Sequence, residues 1–235
     1  MEKPQLNPTA ENTYKIVYPA GRGKDYPYDF GGALAASREQ ERRGEIEAAC
    51  NTRYAAFQRL LEVIPDDEEV TLEWEDENNQ SAMLLVSCSA IDHFLVGDFE
   101  MCAGMLEMLL DIDPEDHLEA TKTLAYAYVA LEEYELFDEV INDISDKYPE
   151  KEILKLWSEF RRNGVLPQGE LIHFRKSFSV FFSEFTADGH EVTPEYLADI
   201  ESDRPSRETL ARELWLQTEH LWSLFPGFIE ALRAA

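Results

Sequence analysis

Basic side chains are what this chain has fewest of for its size. Its 235 residues carry 21 Lys and Arg against 48 Asp and Glu, a formal net charge of −27. A field of that sign repels phosphate backbones and anionic lipid headgroups, so nucleic acids and membrane surfaces are not expected partners. Cysteine is also scarce. Three residues at irregular spacing give no disulfide framework and no Cys-x-x-Cys pair, and Cys88 and Cys102 fall on helix faces where Cys acts as a small apolar residue. The five histidines are never four apart and no His-Glu-x-x-His occurs, so neither a transition metal nor any other cofactor is expected. No apolar run approaches the roughly 18 residues of a membrane span, and Met1-Glu2-Lys3-Pro4 lacks an apolar targeting core, which predicts a cytoplasmic location. Phosphate-cradling glycine loops and nucleophile elbows are missing too; Gly21-x-Gly23-Lys24 is too short to serve.

What is present is an ordinary globular apolar content of 44% and a pattern that occurs twice. The first unit runs Val86, Ser89-Ala90, His93, a turn at Gly97-Asp98-Phe99, then Cys102, Leu106 and Leu109, and stops at Asp113-Pro114. The second keeps the spacing: Thr121, Leu124-Ala125, Tyr128, a turn at Glu132-Glu133-Tyr134, then Phe137, Ile141 and Ile144, with a stop at Pro149. The small residues Ala90 and Ala125 let two helices approach closely. The aromatic after each turn seals the bend, and each proline blocks further helix because it has no N–H to donate. The two prolines are one residue further apart than a period of about 34, and His117 is the candidate extra residue.

On these residues the segment 83–150 resembles the tetratricopeptide-repeat family; Gly97-Asp98-Phe99 and Leu110-Asp111-Ile112-Asp113-Pro114 carry most of the likeness. Phe137 and Ile144 depart from it by standing where the family commonly has Ala. The resemblance implies two antiparallel helices per unit, stacked in a right-handed array, with a concave groove lined by the first helix of each unit. Groove positions would be Leu84, Ser87, Ile91, Phe94 and Leu95 in the first unit and Glu119, Lys122, Tyr126 and Val129 in the second. It also implies protein or peptide binding. Family members that clamp a peptide carboxylate present Lys and Asn there, and of these positions only Lys122 has that chemistry.

Two units leave apolar faces that need about one more repeat, so the flanks must cap them. Residues 151–186 read as a degenerate unit, with Ile153, Leu156, Trp157 and Phe160 ending at Gly164 and a partner helix opening at Pro167 and running through Phe185. Upstream, 33–66 reads as another, turning at Arg43-Gly44, but its turn-to-proline distance is four residues too long, about one helical turn. Capping helices follow at 193–233, started by Thr193-Pro194 and by Ser206-x-x-Thr209 and broken at Pro226-Gly227. Residues 1–32 lack helical periodicity and form an extended arm with too many apolar groups to be free, so the arm is expected to lie along the helical body. The fold class is therefore all-α: a TPR-like array over 33–235 with capping helices and an irregular N-terminal arm.

Charge is unevenly spread. Residues 62–77 hold nine acids and no Lys or Arg, and 91–152 hold eighteen acids against Lys122, Lys147 and Lys151. Two readings stay open, a solvated outer face and a surface for a basic partner. Asp92-His93 and His173 are isolated ionisable groups in helical stripes. The calcium-loop likeness at Asp111-x-Asp113 is rejected, because Pro114 sits inside it and its twelfth position is Lys122. The leading expectation is a non-enzymatic adaptor that binds a protein or peptide segment. A second is an oligomerising accessory protein whose groove is filled by its own arm or C-terminal helix, and a third is an enzyme built on scattered acids such as Asp92, Glu107 and Glu119.

Overall fold

The computed structural model describes residues 2–23, 25–65 and 68–235. Lys24 of the short glycine loop, and Asp66 and Asp67 of the first acidic run, lie outside the described residues. The protein is mostly helical, at 64%, with one small three-stranded sheet. No helix among the described residues is long and apolar enough to cross a membrane. The chain divides into two compact units, Met1–Ala127 and Tyr128–Ala235.

The sheet amends the all-α expectation, and it comes from the arm. Strands β1 (Gln5–Ala10) and β2 (Thr13–Val17) pair antiparallel, and β2 also runs parallel to the short β3 (Thr71–Leu72). Asn12 makes the reversal possible by taking φ 54°, a left-handed conformation that Asn tolerates better than most residues. Tyr14, Ile16 and Val17 are aromatic and β-branched and favour the pleated strand over helix. Residues 5–17 of the arm thus form an ordered hairpin, and its last residues, from Phe30, already belong to a helix.

In the first unit, α1 (Phe30–Arg42) pairs with α2 (Ile46–Leu61), and α3 (Glu77–Leu95) pairs with α4 (Phe99–Ile112). Helix α3 packs on α1 and α2 as well as on α4, which makes it the hub of the unit. Its N-terminus is tied to the sheet by the buried Asn79. That side chain accepts from the Ile16 N–H at 2.9 Å and donates to the Tyr14 and Glu73 carbonyls, also at 2.9 Å. Further along, Asp92 receives a bidentate pair from Arg53 of α2, Nε and Nη2 both at 2.7 Å, while Arg53 Nη1 reaches Glu41 of α1 at 2.7 Å. Arg53 is only 4% exposed. Burial opposes its charge, but the hydrogen bonds to Asp92 and Glu41 outweigh that and hold the guanidinium above its ordinary pKa.

Four helix-to-helix reversals share one local geometry. Gly44 and Gly97 in the first unit, and Glu132 and Gly164 in the second, all take φ between 64° and 82°. In three of these turns the amide after the left-handed residue donates back five positions at 2.9 Å: Glu45 to Gln40, Asp98 to His93 and Glu133 to Tyr128. This bond satisfies a carbonyl that the ending helix would otherwise leave open. Asp98 then caps the next helix by accepting from the Met101 N–H.

Helix α5 (Ala120–Leu131) runs across the division between the units. The second unit continues with α6 (Tyr134–Val140), α7 (Pro149–Asn163), α8 (Gln168–Ser177), α9 (Ser179–Phe185), α10 (Pro194–Ile200), α11 (Arg207–Leu224) and α12 (Pro226–Ala234). Two expectations need correcting here. Helix α6 ends at Val140, not at Pro149, which instead occupies the first turn of α7. The intervening Ile141-Asn142-Asp143-Ile144-Ser145 is poor helix sequence, and Asn142 spends its side chain on the Asp138 carbonyl. Lys151 Nζ donates to the Ile144 carbonyl at 2.7 Å, so the irregular segment keeps a partner. The helix expected from Pro167 through Phe185 is broken at Phe178, whose φ of −124° is not helical. The core of this unit is aromatic: Trp157 meets Trp222 edge-to-face at 5.3 Å, and Phe185 meets Trp215 at 5.2 Å.

Two substitutions check these assignments. Arg53→Ala leaves a shielded carboxylate without its cation and is expected to lower unfolding stability by about 3–5 kcal/mol, whereas Glu41→Ala removes an exposed partner and costs less than about 1 kcal/mol. Equal costs in a denaturant titration would refute that ranking. Glu132→Gly relieves a left-handed non-glycine residue and is expected to raise the melting temperature by the equivalent of up to about 1 kcal/mol, less whatever the exposed Glu132–Arg161 pair contributes.

Candidate functional site

The residues assigned to a concave groove separate into exposed and buried sets. Leu84 and Ser87 are half-buried, while Ile91 and Leu95 are 41% and 50% exposed; their spacing puts all four on one face of α3. Val96, just past the helix, is 79% exposed and extends this apolar strip. Phe94, by contrast, is buried and meets Phe99 edge-to-face at 5.7 Å, so it seals the Gly97 turn. Tyr126 is buried with its ring 6.3 Å from Phe94, and Val129, which belongs to the second unit, is fully buried. Glu119 and Lys122 pair at 2.9 Å, so the cation of this set already has a carboxylate beside it.

The N-terminal arm meets α3 at the other end. Its hydrogen bonds to this helix go to Asn78 and Asn79, and at 1.5 Å per residue Asn79 lies about 18 Å along the helix from Ile91.

The acids named as catalytic candidates sit in three different settings. Both oxygens of Asp92 hold Arg53, Glu119 pairs with Lys122, and Glu107 is exposed on α4. No group of three His, Cys, Asp or Glu side chains that could hold a metal ion occurs among the described residues. Three of the histidines have these surroundings. His93 lies 5.6 Å from the Tyr54 ring with Nδ1 3.0 Å from Asp98, His173 lies beside Ser177 and Phe178, and His190 stacks on Trp215 at 3.8 Å with Nδ1 2.7 Å from Glu184. Glu184 is also clasped by Arg212; although burial opposes its charge, the bonds from Arg212 and His190 hold its pKa below the ordinary carboxylate value.

His117 does more than lengthen a loop. Its ring stacks on Trp74 at 4.5 Å with planes 3° apart, and its Nδ1 lies 2.7 Å from the buried Asp113. Asp113 also accepts from the His117 N–H at 2.9 Å, and Asp116 caps α5 through the Ala120 and Thr121 amides. The Asp113 hydrogen bond raises the imidazole pKa, helped by the charges of Glu115 and Glu75. Asp113 and Asp116 of the rejected calcium-loop likeness therefore order this loop. Trp74, 43 residues from His117 in the chain, is a partner that no local spacing could reveal.

Comparisons with family models, with curated proteins and with solved structures find no match.

The His117 geometry has a pH signature. A base whose pKa is raised by folding contributes stability that is complete below its unfolded value, about 6.5 for imidazole, and that fades as pH rises through the higher folded value. The melting-temperature gap between wild type and His117→Asn should accordingly be widest below about pH 6.5 and narrow as pH rises through the raised folded value. A gap that widens towards alkaline pH would contradict the Asp113 pairing.

Proposed function

We propose that this chain is a non-enzymatic interaction adaptor of TPR-like class, whose stacked helix pairs form a right-handed array and bind a segment of another protein along α3. The observation that carries the reading is the recurrence of one left-handed reversal, with the same five-residue back-bond, in successive helix pairs. Chains built of such repeated pairs present a continuous face of first helices, and that face is where partners dock. The exposed Ile91, Leu95 and Val96 supply apolar contact on the hub helix, and an acidic chain around them favours a partner segment of opposite charge. The arm is bonded to the far end of α3, which supports an open strip over one filled by the arm.

The test is purification of tagged wild type and of an Ile91→Glu/Leu95→Glu variant from native extract at low and high salt. A polypeptide that accompanies the wild type, is lost from the variant, and returns with the exposed control Ile172→Glu supports the adaptor. Recovery of nothing but further copies of this chain, dissociated by the same double substitution, would favour the oligomerising accessory protein instead.

A further inference from the structure

A second surface of the first unit, distinct from the α3 strip, is hollowed out. The hollow is a cavity of about 710 Å³ between the end of α2, the chain leading to β3, and the C-terminal turn of α4. The surplus of four residues between the Gly44 turn and Pro65, compared with Gly97 to Pro114, builds its wall. Helix α2 runs 16 residues where α4 runs 14, and the chain beyond it carries Ile64 and Pro65 into the lining. Leu61, which is 44% exposed, and Ile64 share this lining with Met108 and Leu110 of α4.

The rim is of one charge. Glu68, Glu69 and Asp111 line the cavity and no basic side chain does among the described residues. Glu69 accepts one hydrogen bond from Asn12 at 2.9 Å, while Glu68 and Asp111 form no ion pair among the described residues. Arg59, the nearest base in the chain, is engaged by Glu62. A pocket of this size suits a few aliphatic side chains, and the one methionine in its lining, Met108, adapts to their shape. Carboxylates around an apolar floor exclude acidic partners and speed the approach of basic ones.

We propose that this cavity binds an amphipathic segment of a partner protein, inserting aliphatic side chains between Leu61 and Met108 while its flanking Lys or Arg residues meet Glu68 and Asp111. The site extends the adaptor reading to a second face and does not depend on the α3 strip.

Fluorescence anisotropy with a labelled synthetic helix of leucine and lysine, titrated at physiological salt, tests it. The wild type should bind saturably, and the same helix with lysines replaced by glutamines should bind about tenfold more weakly. Glu68→Lys/Asp111→Lys should weaken the lysine helix by about tenfold or more, while Glu135→Lys/Asp143→Lys, which reverses two exposed acids of the second unit, should stay within about twofold. Ile91→Glu/Leu95→Glu should leave this binding intact, so failure of the strip and failure of the cavity are distinguishable. The methyl resonance of Met108 should shift on adding the helix to the unaltered protein, a readout that needs no variant to fold. Equal losses from the two charge reversals would reduce the effect to general attraction and overturn the site. So would an unmoved Met108 methyl, or sedimentation showing that the helix displaces a second copy of this chain from the cavity.

Discussion

A helix can turn directly back on itself only where one residue accepts a left-handed backbone, and most L-residues resist it. This chain meets that constraint at Gly44 and Gly97 in the first unit and at Glu132 and Gly164 in the second. At Gly44, Gly97 and Glu132 the next helix starts two residues on, so almost no loop intervenes; after Gly164 three residues pass before α8. Ala90 and Ala125, both fully buried, then permit close packing, and Phe94 with Phe99 closes the bend between α3 and α4.

Within the first unit, α3 is held at two stations by opposite means. Asn79 near its start satisfies one strand amide and two carbonyls, converting an otherwise open sheet margin into a joint. Asp92 near its end locks Arg53, which in turn spans to α1. A buried ion pair is a weak source of stability compared with apolar packing, but either half alone is costly, so the pair penalises any register in which α2 and α3 have slipped. The outward strip of Ile91 and Leu95 is displayed from the same stretch of helix that Asp92 immobilises, so whatever docks there meets a surface already in place.

Much of the helical architecture was legible because its signals are local. Gly97-Asp98-Phe99, Arg43-Gly44 and Gly164 announce reversals; Thr193 and Ser206 announce helix starts, and both side chains do cap the helices that follow. The second repeat was read too long, since an apolar spacing that continued through Ile141 and Ile144 masked a stretch too rich in Asn, Asp and Ser to stay helical. The strand pairing of the arm was not legible, because β3 is two residues long and has no pattern of its own. Arg53–Asp92 and Trp74–His117 escaped for a related reason: their partners are 39 and 43 residues apart, beyond any periodicity. The α3 strip could be listed from helical spacing, yet spacing did not separate the exposed Ile91 and Leu95 from the buried Phe94. The surplus near Pro65 was visible as an anomaly of length, while the hollow it encloses exists only in three dimensions.

The scarce thiols have a practical bearing. Cys50, Cys88 and Cys102 are all free, and burial raises each of them above the ordinary value, Cys102 to about 12, with the Asp92 carboxylate adding to the effect at Cys50. The nucleophile in alkylation and oxidation is the thiolate, so at neutral pH these sulfurs react sluggishly. A spectroscopic label carried by one cysteine placed on the outer surface would therefore attach there first, against a background that is chemically quiet.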